Sequence, residues 1–372
     1  MAHVLVTGGA GFIGSFVVDL LVEKGHDVRI LDNFEPQVHK AAPDYLNKEA
    51  ELIKGDVLDR SSLKSAMQDV DILLHQAAMV GVGQSMYQIS RYVGVNTMGT
   101  ANMLDVLANE EHDIKKVVVA SSMSTYGEGA YVCKACGPVS PSLRPVEQMK
   151  GGDWEVHCPL CGMVLTPEPT PETKNQEINS VYALTKMDQE LMCLNVGSAY
   201  GIPTTALRYF NVYGPRQSLN NPYTGVAAIF QSRIKNDNPP LVFEDGDQSR
   251  DFVSVHDIAQ ANILAMGSKA ANDEVFNVGS GNRVSILQVA ETIAKLYGKD
   301  GDIRPKITGN FRKGDVRHCF ADISKIKDKL GFDPKVSFSD GMAELIAWSK
   351  GQEAEDLVDK ATSELQEKGL LE

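Results

Sequence analysis

A short β-rich run, His3–Thr7, leads directly into Gly8-Gly9-Ala10-Gly11-Phe12-Ile13-Gly14 and then into an apolar-periodic stretch carrying Phe16, Val17, Leu20 and Leu21. Few architectures accommodate a strand, a turn with glycines at 8, 11 and 14, and a helix in immediate succession. Absent β-carbons let the chain reverse tightly and bring backbone N–H groups at a helix N-terminus close to an anion. The alternation continues. Candidate strands Asp27–Asp32, Ala50–Lys54, Asp71–His75 and Lys116–Ser121 are separated by helix-length segments, the pattern of an α/β fold with a doubly wound parallel sheet. Asp32 closes the second strand, 18 residues past Gly14. Its carboxylate suits a ribose 2′-hydroxyl and repels a 2′-phosphate, so the pattern predicts a Rossmann domain that prefers NAD to NADP. Asp56 and Val57, after the third strand, are expected near the adenine.

Composition narrows the classes further. With 36 basic against 49 acidic residues the formal charge is −13, which disfavours nucleic acid and anionic membrane surfaces as partners. No basic segment leads into an apolar signal region, and no run of about 18 apolar residues could span a bilayer; the expectation is a soluble, cytoplasmic protein. Residues 1–208 read as the NAD-binding domain, interrupted by a Pro-, Gly- and Cys-rich insertion at 128–174. A helix from Ser180 to about Ala199 and a strand Thr204–Arg208 extend the same sheet. Residues 209–345 read as a smaller substrate lobe over the carboxyl ends of the strands, with helices Val226–Ile234 and Ser285–Tyr297 and strands Leu241–Phe243, Asp251–Val255 and Val275–Val278. The remainder, 346–372, reads as an amphipathic helix or frayed tail without an assigned role.

Tyr182 and Lys186 stand four residues apart, hence on one helical face. An ammonium beside a phenol, reinforced by an oxidised nicotinamide, favours the phenolate and lowers a pKa that is ordinarily about 10, giving a general base near neutrality. The fifth strand ends in Ala120-Ser121-Ser122-Met123-Ser124-Thr125-Tyr126-Gly127. Farther on come Arg208-Tyr209-Phe210-Asn211-Val212-Tyr213-Gly214-Pro215-Arg216, Asp245-Gly246-Asp247-Gln248-Ser249-Arg250-Asp251-Phe252-Val253 and Arg312-Lys313-Gly314-Asp315-Val316-Arg317. On these segments the chain resembles the extended short-chain dehydrogenase/reductase family, in its nucleotide-sugar epimerase/dehydratase branch, over essentially residues 2–345 apart from the insertion.

The resemblance implies a set of roles. Ser122 supplies a catalytic hydroxyl, with Ser121 and Ser124 as alternatives; Tyr182 is the acid/base and Lys186 its electrostatic partner. NAD is expected to touch Gly8, Gly11, Phe12, Ile13, Gly14, Asp32, Asn33, Asp56 and Val57, then Gln76, Ala77, Ala78 and Asn96, besides Tyr182 and Lys186. A UDP- or dTDP-hexose is expected at Ser85, Ser124, Asn211, Val226, Arg250, Arg312 and Asp315, where guanidinium forks suit diphosphate oxygens. A homodimer paired through a four-helix bundle that includes the Tyr182 helix is also implied. Dehydratases of the family carry Asp-Glu where this chain has Met123 and Ser124, and decarboxylating members place a Glu at Ser124. A thioether and a hydroxyl cannot do a carboxylate's proton work. The reading is therefore an NAD-dependent nucleotide-sugar 4-epimerase, an isomerase acting through a transient 4-keto sugar with NAD kept bound. A 4,6-dehydratase, a UDP-glucuronate decarboxylase or a 4-keto reductase are the enzymatic alternatives, and a dinucleotide-sensing binding protein the non-enzymatic one.

Cys133-Lys134-Ala135-Cys136-Gly137 and Cys158-Pro159-Leu160-Cys161-Gly162 are two Cys-x-x-Cys-Gly knuckles separated by 21 residues. Four thiolates in this pattern suit a structural tetrahedral zinc, and iron second; a redox dithiol pair is the alternative. Cysteine-bearing insertions at this place resemble those of dTDP-L-rhamnose 4-epimerase-like members of the family. Ser122 and Tyr182 are 60 residues apart, so the insertion separates two catalytic candidates and is a candidate lid over the sugar. Cys193 and Cys319 read as buried apolar residues; His75 resembles a cofactor-lining strand-end residue of the family, and a packed strand-end histidine is the alternative.

Overall fold

The protein, described here by a computed structural model, is defined at every residue except Lys40, Ala42, Pro222 and Thr224. The last two fall in the loop Asn220–Ala227, so that part of the expected substrate-discriminating loop lies outside the described residues. Seven strands form one sheet in the spatial order Glu274–Val278, Thr204–Tyr209, Lys116–Ser122, Ile72–His75, His3–Thr7, Asp27–Asp32, Glu51–Lys54. Every pairing is parallel, from Leu5 opposite Arg29 to Phe276 opposite Leu207. The order reverses at His3–Thr7, which places a crevice beyond the carboxyl ends of the strands where a doubly wound sheet binds its ligands.

Both faces of the sheet are covered, which is why its central strands are buried throughout rather than on alternate residues; Lys116–Ser122 and Thr204–Tyr209 are buried at every position. One face packs Val4, Val6, Val118 and Leu207 against the first helix, Phe12–Glu23, and the helix Val255–Gly267. The other packs Leu5, Leu73, Val117 and Val119 against Met103, Leu107 and Cys193. The strand Glu274–Val278 belongs to this sheet although it falls within 209–345, so the smaller lobe is not one continuous stretch of chain. That lobe has its own core, in which Phe230, Val242, Phe252, Ile293 and Leu345 meet.

The helix carrying Tyr182 runs Val181–Tyr200, capped by Ser180 Oγ accepting from Ala183 N at 3.1 Å and ended by Gly201 at φ +68°. The insertion is a small three-stranded antiparallel sheet, with Ala130–Cys133 flanked by Gly137–Val139 and Thr166–Glu168. Residues 358–367 form a helix that is docked, not frayed: Phe311 and Glu372 exchange backbone hydrogen bonds of 2.8 and 3.0 Å. Among the described residues no helix is long and apolar enough to cross a membrane.

Candidate active site

A continuous cavity of about 700 Å³ extends from the glycine turn past Tyr182 to Arg250 and Arg312, a size ordinary for a small-molecule site. At one end Gly8 holds φ +69°, and a β-carbon on Gly14 would stand 2.2 Å from the Gly8 carbonyl oxygen. Gly11 begins the first helix with no side-chain cap, leaving the N–H groups of its first turn to an anion. Asp32 is fixed at the strand end by accepting from Ala10 N at 3.0 Å and Phe34 N at 2.8 Å, and Asp56 accepts from Asn33 Nδ2 at 2.9 Å. A cradle that side chains cannot enter, followed by a carboxylate beyond it, fits NAD. Phe12, Ile13, Val57, Gln76, Ala77 and Ala78 line the same space.

Two expected ligand contacts do not line this cavity. Asn96 is wholly buried; its amide accepts from Met79 N at 2.7 Å and donates to Met79 O at 3.0 Å and Thr185 Oγ1 at 2.9 Å. Ser85 donates to Val82 O at 2.6 Å and accepts from Tyr182 N at 3.0 Å. Their polar atoms are committed to protein partners, mostly backbone, so they shape the site from behind: Asn96 pins the chain leaving the fourth strand, and Ser85 holds the start of the Tyr182 helix.

Ser122, Tyr182 and Lys186 line the cavity together. Ser121 donates its hydroxyl to Glu190 Oε2 at 2.6 Å, and Glu190 in turn pairs with Arg208, which leaves Ser122 as the hydroxyl hydrogen-bonded to the Tyr182 phenol. The chain alone does not lower the tyrosine pKa. Burial pushes the phenol up to about 12, against which the Ser122 hydrogen bond acts. Lys186 does not offset this, because its ammonium donates to Gln189 Oε1 at 2.7 Å and burial drives it down to about 7. Gln189 also reaches His75 Nε2 at 3.1 Å and Thr100 Oγ1 at 2.9 Å. Full burial drives His75 down to about 3, with Lys186 adding to the effect. The chain by itself therefore keeps the phenol protonated at neutral pH, and a positive charge from the ligand side is needed to ionise it.

At the other end Asn211, Val226, Arg250, Arg312 and Asp315 line the cavity, with Arg250 Nη2 donating to Asp315 Oδ1 at 3.1 Å. Ser124 Oγ, Asn211 Oδ1 and Arg312 Nε are buried without a protein partner, as are Asn179 Oδ1, Gln217 Oε1 and Gln248 Oε1. All six residues line the cavity, and buried polar atoms of this kind call for a polar ligand. Asn179, Gln217 and Gln248 escaped the sequence reading because isolated amides in loops carry no periodicity. The insertion does not act as a lid: among the described residues, none from 128 to 174 lines the cavity, whereas Val358, Ala361, Thr362, Leu365 and Leu370 of the tail do. Within the insertion, the four sulfurs of Cys133, Cys136, Cys158 and Cys161 lie within 4.8 Å of one another. Gly137 and Gly162 take the left-handed turn after each pair, at φ +77° and +75°.

Residues 4–145 match the NAD dependent epimerase/dehydratase family and residues 162–345 the GDP-mannose 4,6 dehydratase model. A dTDP-L-rhamnose 4-epimerase of Burkholderia thailandensis is 36% identical over 93% of this chain and 94% of its own length. The UDP-N-acetylglucosamine 4-epimerase of Methanobrevibacter ruminantium, solved with UDP-N-acetylmuramic acid, superposes with a TM-score of 0.76 at 33% identity, covering 95% of this chain and 99% of that one. The UDP-glucose 4-epimerase of Thermus thermophilus, solved with NAD, gives a TM-score of 0.74 at 28% identity over 94% and 100% of the two chains. The chain belongs to the NAD dependent epimerase/dehydratase family.

Proposed function

We propose that the protein is an NAD-dependent nucleotide-sugar 4-epimerase. The observation that carries this reading is the cavity's acid inventory. Among the described lining residues the carboxylates are Asp32, Glu35, Asp56 and Asp315. Asp32 and Asp56 belong to the glycine-turn end, Glu35 is paired with Arg91, and Asp315 is paired with Arg250. Beside Ser122 stand Met123 and Ser124, so no carboxylate adjoins the reacting carbon to drive elimination or to manage a leaving carboxyl.

Tyr182 takes the proton of the sugar 4-hydroxyl, with Ser122 holding the same oxygen. Bound NAD supplies the hydride acceptor, the matching donor for the return step, and the positive charge that the buried phenol lacks. Arg250 and Arg312 keep the diphosphate in place while the 4-keto sugar turns, and Tyr182 returns the proton when the opposite face is presented. A UDP- or dTDP-hexose fits the two guanidinium groups. Cys133, Cys136, Cys158 and Cys161 are proposed to hold a structural zinc: all four positions are thiolates, so no coordination site is left for substrate. A homodimer formed through the Tyr182 helix completes the reading.

Incubating the purified protein with UDP- and dTDP-hexoses and following the sugars by NMR tests the activity. An epimer of unchanged mass is expected. Loss of about 18 mass units, or of carbon dioxide, would replace this reading with the dehydratase or the decarboxylase.

A further inference from the structure

The cysteine module sits outside the cavity but behind the loop that carries its diphosphate groups. Its hydrophobic core consists of Tyr131, Cys133, Val156, Cys158 and Leu165, with Val139 at its edge. Two of those five are candidate ligands, and a cluster this small does not order a segment unaided. Metal coordination supplies what the core lacks. Val156 is tied to the second knuckle by Leu165 N donating to its carbonyl at 2.8 Å, which fixes the residue before it, Glu155.

Glu155 reaches out of the module. Its Oε1 accepts from Arg317 Nη2 at 2.7 Å, and Arg317 also grips Asp245 through bonds of 2.6 and 2.8 Å. Arg144, between the two knuckles, forks onto Glu244 at 2.8 and 2.9 Å and donates to the Asp315 carbonyl at 3.2 Å. Arg144 and Arg317 have side chains only 1% exposed, so each guanidinium depends on these partners for charge compensation. Arg250 then hangs on the result: it donates to the Arg317 carbonyl and to Asp315 Oδ1, both at 3.1 Å. Short stretches of backbone and these hydrogen bonds together join the module to the diphosphate end of the cavity, whereas the glycine turn and Lys186 lie outside the series.

We propose that the metal-bound knuckles are a brace for the diphosphate site, with Glu155 and Arg144 as positioning residues that set Arg250 and Asp315 and have no part in binding NAD. The proposal rests on the zinc reading above, but the first step of its test requires neither knowledge of the sugar nor turnover. The first step measures zinc and iron per chain, UDP and dTDP affinity by calorimetry, and bound NAD, before and after the metal is stripped with a mercurial and a chelator. About one metal per chain is expected, with nucleotide affinity falling about tenfold on stripping and NAD content unchanged.

A metal-free protein with four reduced thiols would remove the zinc reading and the brace with it. A stripped protein that binds UDP and dTDP as before would overturn the brace alone and leave the zinc reading standing. Because stripping could unfold the insertion, Glu155→Gln gives an independent measure. It should retain the metal and melt as one transition, yet show a KM for the nucleotide sugar raised about tenfold with kcat within about twofold. An unchanged KM, or a fall in kcat alone, would overturn the assignment of Glu155.

Discussion

At the scale of single residues, the site combines one steric demand with three buried groups whose protonation the fold controls. A β-carbon at position 14 would stand 2.2 Å from Gly8 O, against backbone that cannot yield. Gly14→Ala should therefore purify without bound NAD, which an absorbance or chromatographic assay of the released cofactor would detect. Tyr182→Phe removes only the acidic oxygen. It should keep NAD and lower kcat by a factor of about 10²–10⁴, and activity near the wild-type rate would dismiss Tyr182 as the acid/base. His75 is wholly enclosed and hydrogen-bonded to Thr7, Thr100 and Gln189, so its titration couples to stability. Its folded-state pKa is lowered to about 3 by burial, against about 6.5 in the unfolded chain. Between those values the unfolded chain binds the extra proton, so stability is full above about pH 6.5 and lost as the pH falls toward about 3. The loss is on the order of 5 kcal/mol. His75→Gln, which removes the titration, should flatten that part of a denaturation series measured from pH 7 to 4.

At the scale of elements, the strands and helices that could be read from the sequence lie within a residue or two of those in the fold, because hydrophobic runs and caps mark them, whereas helices Val255–Gly267 and Phe338–Ser349 went unread. Ser180 and Gly201 bound the Tyr182 helix, and Ser285 with Gln288 forms a capping box at the start of Ile286–Leu296. The glycine turn, Asp32 and the two knuckles could be read for the same reason: their residue types have few other uses at those spacings. Asn96 and Ser85 could not, since whether a buried amide or hydroxyl faces a ligand or a peptide group depends on packing a hundred residues away. The tail was illegible for a different reason. Helix Val358–Glu367 is amphipathic by pattern, but nothing in the pattern says what it meets. In the fold Glu364 accepts from Tyr87 at 3.2 Å and from Tyr223, and Leu365 approaches Gly83, so the tail walls the cavity beside residues 79–86. Deleting residues 356–372 should raise the KM for the nucleotide sugar about tenfold or more while bound NAD is retained. Loss of NAD together with sugar affinity would mean that the tail supports the whole fold instead.

At the scale of the molecule, the helices behind the site leave an apolar strip uncovered. Leu184 and Leu191 project from the Tyr182 helix at 41% and 42% exposure, while Val93 and Met98 stand at 38% and 55% on the adjoining Val93–Asn109 segment. The two helical segments are linked by Thr97 Oγ1 donating to Asp188 Oδ2 at 2.8 Å, so the strip is a rigid surface and not a collection of loose side chains. Leu184 and Leu191 are one heptad apart, the spacing that aligns side chains along a helix–helix seam. On a chain with a formal charge of −13, copies repel one another at long range, and a seam of uncharged side chains is where contact costs least. A second copy offering the same strip would pair the two helices of each into four, by two-fold symmetry. Sedimentation of the wild-type protein at micromolar concentration should give twice the chain mass of 40.5 kDa, and the double variant Leu184→Glu, Leu191→Glu should sediment at the single-chain mass. Because Tyr182 and Lys186 face inward from the same helix, the separated chain should also lose kcat before it loses bound NAD. A wild-type protein sedimenting at the single-chain mass would show that the strip is left bare and that each chain catalyses alone.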